Sequence, residues 1–208
     1  MSLGEDISRA VAARVDDLKD KKIISSLEGW SCSGVGALVV AIPKRLAEEV
    51  ERRGVDVGSL VVDLLVKLLG LDPQAAAESH LELASKYLEE GRSLVDKDPV
   101  QASEKLYKAA EEAVKAIAAA LDVEEHRKAA DQGRWTAALL FDAVDSISAR
   151  LGVGELPLWW RAAWVLHVEG FHEARLGAER VRRDLKYVEA MVGLARKALR
   201  REEVEGGA

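Results

Sequence analysis

Among the side chains able to do chemistry, His167 and Arg161 come nearest to a pair. A histidine titrates near neutrality and can move a proton, and an arginine can hold a phosphate through charge-assisted hydrogen bonds. Five residues separate the two, just after the loop that ends at Pro157. Six positions along a helix turn through about 600°, so the two side chains point roughly 120° apart and converge only across a dimer or at a frayed helix start. His167 also falls on an apolar stripe, where a hydrogen-bonded core histidine is the commoner finding. His172 and Glu173 follow beside that stripe, without the further ligands a zinc site needs, so no metal is expected. His80 and His126 stand alone and are expected at the surface. Asp142 and Asp145 lie one turn apart and read as solvated carboxylates. Trp159, Trp160 and Trp164 form an aromatic cluster whose role is either packing, in a core or a dimer, or the wall of a ligand pocket or base-stacking surface. No glycine-rich phosphate loop and no Ser-His-Asp order is present, and no cofactor is expected.

These residues must be positioned by helices. Asp72-Pro73 and Asp98-Pro99 each pair an N-cap aspartate with proline at the first helical position, and Gln101 stands where a capping-box partner would. The first helix puts Ala77, Leu81, Ala84, Leu88 and Val95 on one side. The second puts Leu106, Ala109, Ala113, Ile117 and Ala120 on one side, and its small residues permit close packing. A polar stretch from Asp122 to Gly133 breaks the pattern. A third helix runs from Arg134 to about Leu151 with Ala137, Leu140, Val144, Ile147 and Leu151 inward. A single long fourth helix is expected from Leu158 to about Arg201, with Ala163, His167, Phe171, Ala174, Ala178, Val181, Leu185, Val188 and Val192 in a regular three-four alternation. Residues 72–208 therefore predict an antiparallel helical bundle.

The front of the chain is different. Residues 1–35 hold an amphipathic helix (Ile7, Ala10, Val11, Val15, Leu18) and a Ser/Gly-rich linker containing Trp30 and Cys32. Residues 36–71 read as strand, helix, helix. Ala37 to Ile42 is a β-rich run stopped by Pro43, a helix carries Leu46, Ala47 and Val50 to Gly54, and Asp56 caps a very apolar helix ending at Gly70. One strand and two helices cannot make a core alone, and a two-fold dimer that pairs the strands solves this. The pattern of Val40, Ile42-Pro43, Leu46, Gly54, Asp56 and Leu60-Val61 resembles the ribbon-helix-helix module. Its outward strand face would be Ala37, Val39 and Ala41, none of which can hydrogen-bond a base edge. Dimerisation is favoured over operator binding.

Two segments of the bundle carry a second resemblance. Asp98 to Ile117, and Trp164 to Leu176 with its Leu-His and Gly-Phe-His-Glu core, resemble the archaeal PaREP family over about residues 74–200. That family is regarded as related to HEPN domains, helical bundles that dimerise and include metal-independent ribonucleases, toxins and nucleotide-binding partners. The resemblance implies a mainly α fold, an HEPN-like bundle behind the strand-helix-helix module. HEPN nucleases carry an arginine, a short gap and a histidine near the start of their last long helix, and Arg161 and His167 match that place. In that role His167 would move the proton of an RNA 2′-hydroxyl while Arg161 holds the scissile phosphate, and Trp160, Trp164, His172 and Glu173 would be binding residues.

Composition narrows the classes. Hydrophobic residues at 49% and charged residues at 32% allow both a core and a solvated surface. Asparagine is absent, methionine occurs twice, and Arg and Glu abound, a thermophile habit. Cys32 is the one cysteine, so no intrachain disulfide is expected. The apolar runs are too short to span a bilayer, and the N-terminus lacks a signal-peptide pattern, so a cytoplasmic protein without membrane partners is expected. The net charge of −6 argues against a general nucleic-acid sponge, although nine basic and four acidic residues lie between Phe171 and Arg201, either a solvated face or a phosphate-binding patch. Three readings follow. The first is a dimeric HEPN-like scaffold, joined through residues 37–42 and the bundle, that binds RNA, DNA or nucleotide without catalysis. The second is a metal-independent ribonuclease using Arg161 and His167. The third is a DNA-binding regulator acting through the N-terminal module.

Overall fold

A computed structural model describes residues 42–53 and 56–206. The chain divides into two compact units, Met1–Val55 and Asp56–Ala208. In the first, one helix is described, α1 (Lys44–Arg52), which starts one residue later than the sequence suggests, with the Pro43 carbonyl accepting from Leu46 and Ala47. The expected strand at 37–42 lies outside the described residues except for Ile42, which has no regular structure. Among the described residues there is no strand.

The second unit is all helix: α2 (Val57–Leu69), α3 (Pro73–Leu94), α4 (Pro99–Ala120), α5 (Glu124–Gln132), α6 (Ala137–Leu151), α7 (Leu156–Val165), a π-helical turn (Leu166–His172) and α8 (Ala178–Gly206). The caps explain the boundaries. Asp56, Asp72, Asp98 and Thr136 each accept from the backbone N–H three residues on, at 2.8 to 3.2 Å. Gly70 and Gly152 end α2 and α6 in the left-handed conformation that a side chain would resist. Among the described residues no helix is long and apolar enough to cross a membrane.

α4 is the axis of this unit. It is buried on nearly every side, from Ala102 to Ala119, and α3, α8 and the π turn all pack on it. α3 and α4 form an antiparallel hairpin: Lys105 bonds Glu90 at 2.7 Å near the connecting turn, and His80 meets Glu112 far from it. α8 runs antiparallel to α3, with Arg92 on Glu189 at 2.7 Å and Arg196 on Ser85 at 3.0 Å. The inward stripes of α3, α4 and α6 are largely those read from the sequence.

Two expectations are corrected. The polar stretch after Asp122 is not a plain break but holds the short helix α5. The single long fourth helix does not exist: α7 widens into the π turn, the chain leaves helix at Glu173, and α8 begins afresh at Ala178. Ala174 sits at φ 50°, a left-handed conformation that disfavours a β-carbon. Leu166, Gly170 and Leu176 face inward here, while Ala174 is exposed.

Candidate functional site

Two clusters of ionisable side chains grow out of α4. The first joins α4 to the π turn. The ring of Tyr107, on α4, stacks on His167 with centroids 4.1 Å apart and planes at 23°. Glu104, one turn earlier, meets Nδ1 of His167 at 3.3 Å, and Nε2 of His167 meets Nε2 of His172 at 3.2 Å. With the carboxylate accepting from Nδ1–H of His167, the facing Nε2 carries a lone pair and His172 donates to it. The result is a line from carboxylate to imidazole to imidazole, with His172 exposed at its outer end. Trp164 and Phe171 flank it, with ring centroids 5.5 and 6.4 Å from that of His167.

The backbone explains why two histidines five positions apart can touch. A π turn advances fewer degrees per residue than an α-helix, so i and i+5 fall nearly in line. Gly170 lets this wide turn lie on α4: a β-carbon there would come within 2.6 Å of Ser103 Cβ. Ser103 is itself anchored by donating to the Pro99 carbonyl at 2.7 Å.

The residues singled out from sequence divide accordingly. His167, His172 and Trp164 come together. Trp160 is wholly buried, packed between Tyr107 and Phe141 at 5.9 and 5.6 Å, and its indole N–H has no acceptor among the described residues. Glu173 is exposed and pairs with Arg175 at 3.0 Å. Arg161 is exposed, and no hydrogen bond or ion pair joins it to His167 or to any other described residue.

The second cluster was not foreseen. Lys115 is almost wholly buried, and its ammonium donates to Ser59 Oγ at 2.7 Å, Glu112 Oε1 at 2.9 Å and Asp63 Oδ2 at 3.3 Å, with Glu111 Oε1 at 3.1 Å. Ser59 donates to Glu112 at 2.6 Å, and His80 Nδ1 meets the other Glu112 oxygen at 2.7 Å. Burial alone would push the Glu112 carboxyl up, but the His80 bond, the Lys115 charge and Ser59 outweigh it and hold it at about 2. Burial would likewise lower Lys115, but Glu111, Glu112 and Asp63 surround it and raise it above the ordinary lysine value. The Asp63 carboxyl is raised, mainly by burial and against the pull of Lys115. Among the described residues no group of side chains suits a metal ion.

The expectation of a surface position is therefore corrected for His80. His80 is buried, and His126 lines a cavity of about 380 Å³ with it. The signal for His80 was available. It falls three residues after Ala77 and four before Ala84, on the inward stripe of α3.

This cluster sets the pose of α2. Asp56 accepts from the Tyr87 hydroxyl at 2.8 Å, and Ser59 and Asp63 point inward to Lys115. The polar side of α2 is thus the docked side, helped by Val66. Its leucines face away: Leu60, Val61, Leu64, Leu65, Leu68 and Leu69 are all exposed, Leu68 at 80% and Leu69 at 65%.

Comparison with known proteins bears on the same part of the chain. The model of the archaeal PaREP1/PaREP8 family matches residues 79–192, which hold both α4 and the π turn. A crystal structure of a protein from Sulfolobus solfataricus is similar at 38% identity and a TM-score of 0.52, covering 56% of this chain and 95% of that one. A solution structure of the Orf c02003 protein is similar at 39% identity and a TM-score of 0.50, covering 56% of this chain and 90% of that one. No curated protein matches the chain.

Proposed function

The chain belongs to the archaeal PaREP1/PaREP8 family, and from that premise we propose that it is an HEPN-like helical scaffold that pairs with a second copy of itself and binds nucleic acid or nucleotide. One observation carries the pairing: α2 is docked by Ser59 and Asp63 and turns six large apolar side chains to solvent. A soluble monomer rarely leaves so continuous an apolar face uncovered. The face carries no charge, so its best match is another face of the same kind, and two copies of α2 supply one. Such a contact buries on the order of 1,000 Å², near the lower edge of a specific interface. Sedimentation equilibrium of the full chain tests this: a dimer is expected, and Leu64→Glu with Leu68→Glu should yield a folded monomer. A wild-type monomer at micromolar concentration overturns the pairing.

A second reading is favoured by the Glu104–His167–His172 line. Two imidazoles in contact, one anchored by a carboxylate, can act as base and acid together. One takes the proton of an RNA 2′-hydroxyl while its oxygen attacks phosphorus. The other gives a proton to the departing 5′-oxygen, leaving a 2′,3′-cyclic phosphate and a 5′-hydroxyl. Arg161 would reach the phosphate only from the second copy. Labelled RNA incubated in EDTA should be cleaved, with a loss of about 100-fold in His167→Ala and in His172→Ala. Equal cleavage by wild type and both variants removes the ribonuclease reading and leaves the scaffold standing.

A further inference from the structure

The cavity beside His80 has a chemistry of its own. It opens between the last turns of α2, the middle of α5 and the turn that follows α5. Its volume of about 380 Å³ falls toward the small end of pockets for small molecules, which run from roughly 300 to 1,000 Å³. Trp135 forms one half-buried wall, with the His126 ring tilted against it at 6.5 Å. Burial, and then the nearby His80, lower His126 below the ordinary histidine value, so it stays neutral at pH 7 and offers one donor and one acceptor. No hydrogen bond to its ring nitrogens is present among the described residues. Deeper in, Asp63 and His80 face each other at 3.7 Å and are fixed from behind by Lys115 and Glu112.

The rim carries the charge. Arg134 is exposed and lines the cavity, and its guanidinium has no ion-pair or hydrogen-bond partner among the described residues. Lys67 lies on the same rim and donates one bond to the Ala130 carbonyl at 2.9 Å, which leaves two ammonium protons unspoken for. Asp131 lines the rim too and also lacks a side-chain partner there. Two cations against that carboxylate suit a small, compact anion rather than a polyanionic backbone, which meets its binder through many cations.

We propose that this cavity binds a small planar heteroaromatic molecule carrying one anionic group, its ring against Trp135 and His126 and its phosphate or carboxylate on Arg134 and Lys67. The site lies apart from the His167–His172 line and does not depend on RNA cleavage. Because α2 supplies one wall, occupancy also braces the helix that carries the exposed leucines.

Isothermal titration of the full chain tests it with three probes: adenosine monophosphate, adenosine, and nicotinate. Micromolar to submillimolar binding of at least one anionic probe is expected, with adenosine at least tenfold weaker than its monophosphate. Tighter binding of the monophosphate assigns the anion as phosphate, and tighter binding of nicotinate assigns it as carboxylate. Arg134→Gln, an exposed change that should leave the fold intact, is expected to weaken the bound anion at least tenfold. Trp135→Phe should weaken both rings less than that, and His172→Ala should leave binding unchanged. No heat from either anion at millimolar concentration overturns the proposal, as does undiminished binding in Arg134→Gln. Neither result bears on pairing or on RNA cleavage, which have their own readouts.

Discussion

α4 offers a carboxylate to a histidine twice, and the two pairs differ in every respect that matters. Glu112 and His80 meet at 2.7 Å, both buried, with Lys115 and Ser59 satisfying what remains of the carboxylate. Glu104 and His167 meet at 3.3 Å, each about one-fifth exposed, and beyond His167 lies the exposed His172. The same residue types two turns apart thus serve opposite ends. The inner pair is buried, and through Ser59 and Lys115 its carboxylate also helps hold α2 to the bundle. The outer pair is open, and His172 beyond it stands at the surface. Burial and completeness of bonding, not residue identity, separate a structural ion network from an exposed histidine pair.

That contrast can be broken most forcibly from the inside. Glu112→Ala leaves the buried Lys115 with Glu111 and Asp63 as its remaining carboxylates and His80 Nδ1 without its partner, and should destabilise the protein by roughly 3 kcal/mol in denaturant unfolding, the lower end of the cost of breaking a buried pair. Glu104→Ala, partly solvated, should cost about 1 kcal/mol or less while depressing any RNA cleavage. Similar losses of stability in the two variants would dissolve the distinction.

Acid titration sharpens it. Glu112 is held at about 2 against an ordinary 4.5, and His126 is lowered from 6.5. In both cases the folded protein binds fewer protons than the unfolded chain, so their contribution is full above pH 6.5 and lost as pH falls. One loss should begin below about pH 6.5 and a second between about pH 4.5 and 2. Asp63 is raised by burial and acts in the opposite sense, its contribution present at low pH and lost as pH rises, so it offsets part of the second step. Glu112→Gln should abolish the second loss and keep the first, as followed by circular dichroism.

Smaller effects come from the π turn. Gly170→Ala drives a methyl group into Ser103 and should cost about 1–3 kcal/mol, with the larger consequence that His167 and His172 separate and any RNA cleavage falls. Ala174→Gly relieves the left-handed residue beyond the turn and should raise stability by about 0.5 kcal/mol without touching the histidines.

Much of the scaffold was legible because caps are local. Asp72-Pro73, Asp98-Pro99, Gly70 and Gly152 mark their boundaries by side-chain and backbone chemistry that needs no tertiary context. The break at the π turn was not. The run from Ala163 to Val192 keeps its three-four spacing straight through residues 166–177, and only Gly170 and Gly177 interrupt it. The outer site was half legible, since the Gly-Phe-His-Glu segment drew attention to His167 and His172, while their contact depends on a π geometry that spacing for an α-helix excludes. The inner network escaped because Glu112 and Lys115 look like an ordinary exposed pair. They are buried because α4 is enclosed on all sides. The outward pose of α2 escaped for the same reason: its leucines suggest the buried face, yet Ser59 and Asp63 are claimed by a lysine far along the chain.

The outward face of α2 is the point on which the assembly turns, and amide hydrogen exchange measured at several protein concentrations examines it directly. If a second copy covers the leucines, protection across residues 57–69 rises with concentration while that of α4 stays fixed. Exchange in 57–69 that is identical from nanomolar to hundreds of micromolar would contradict the account.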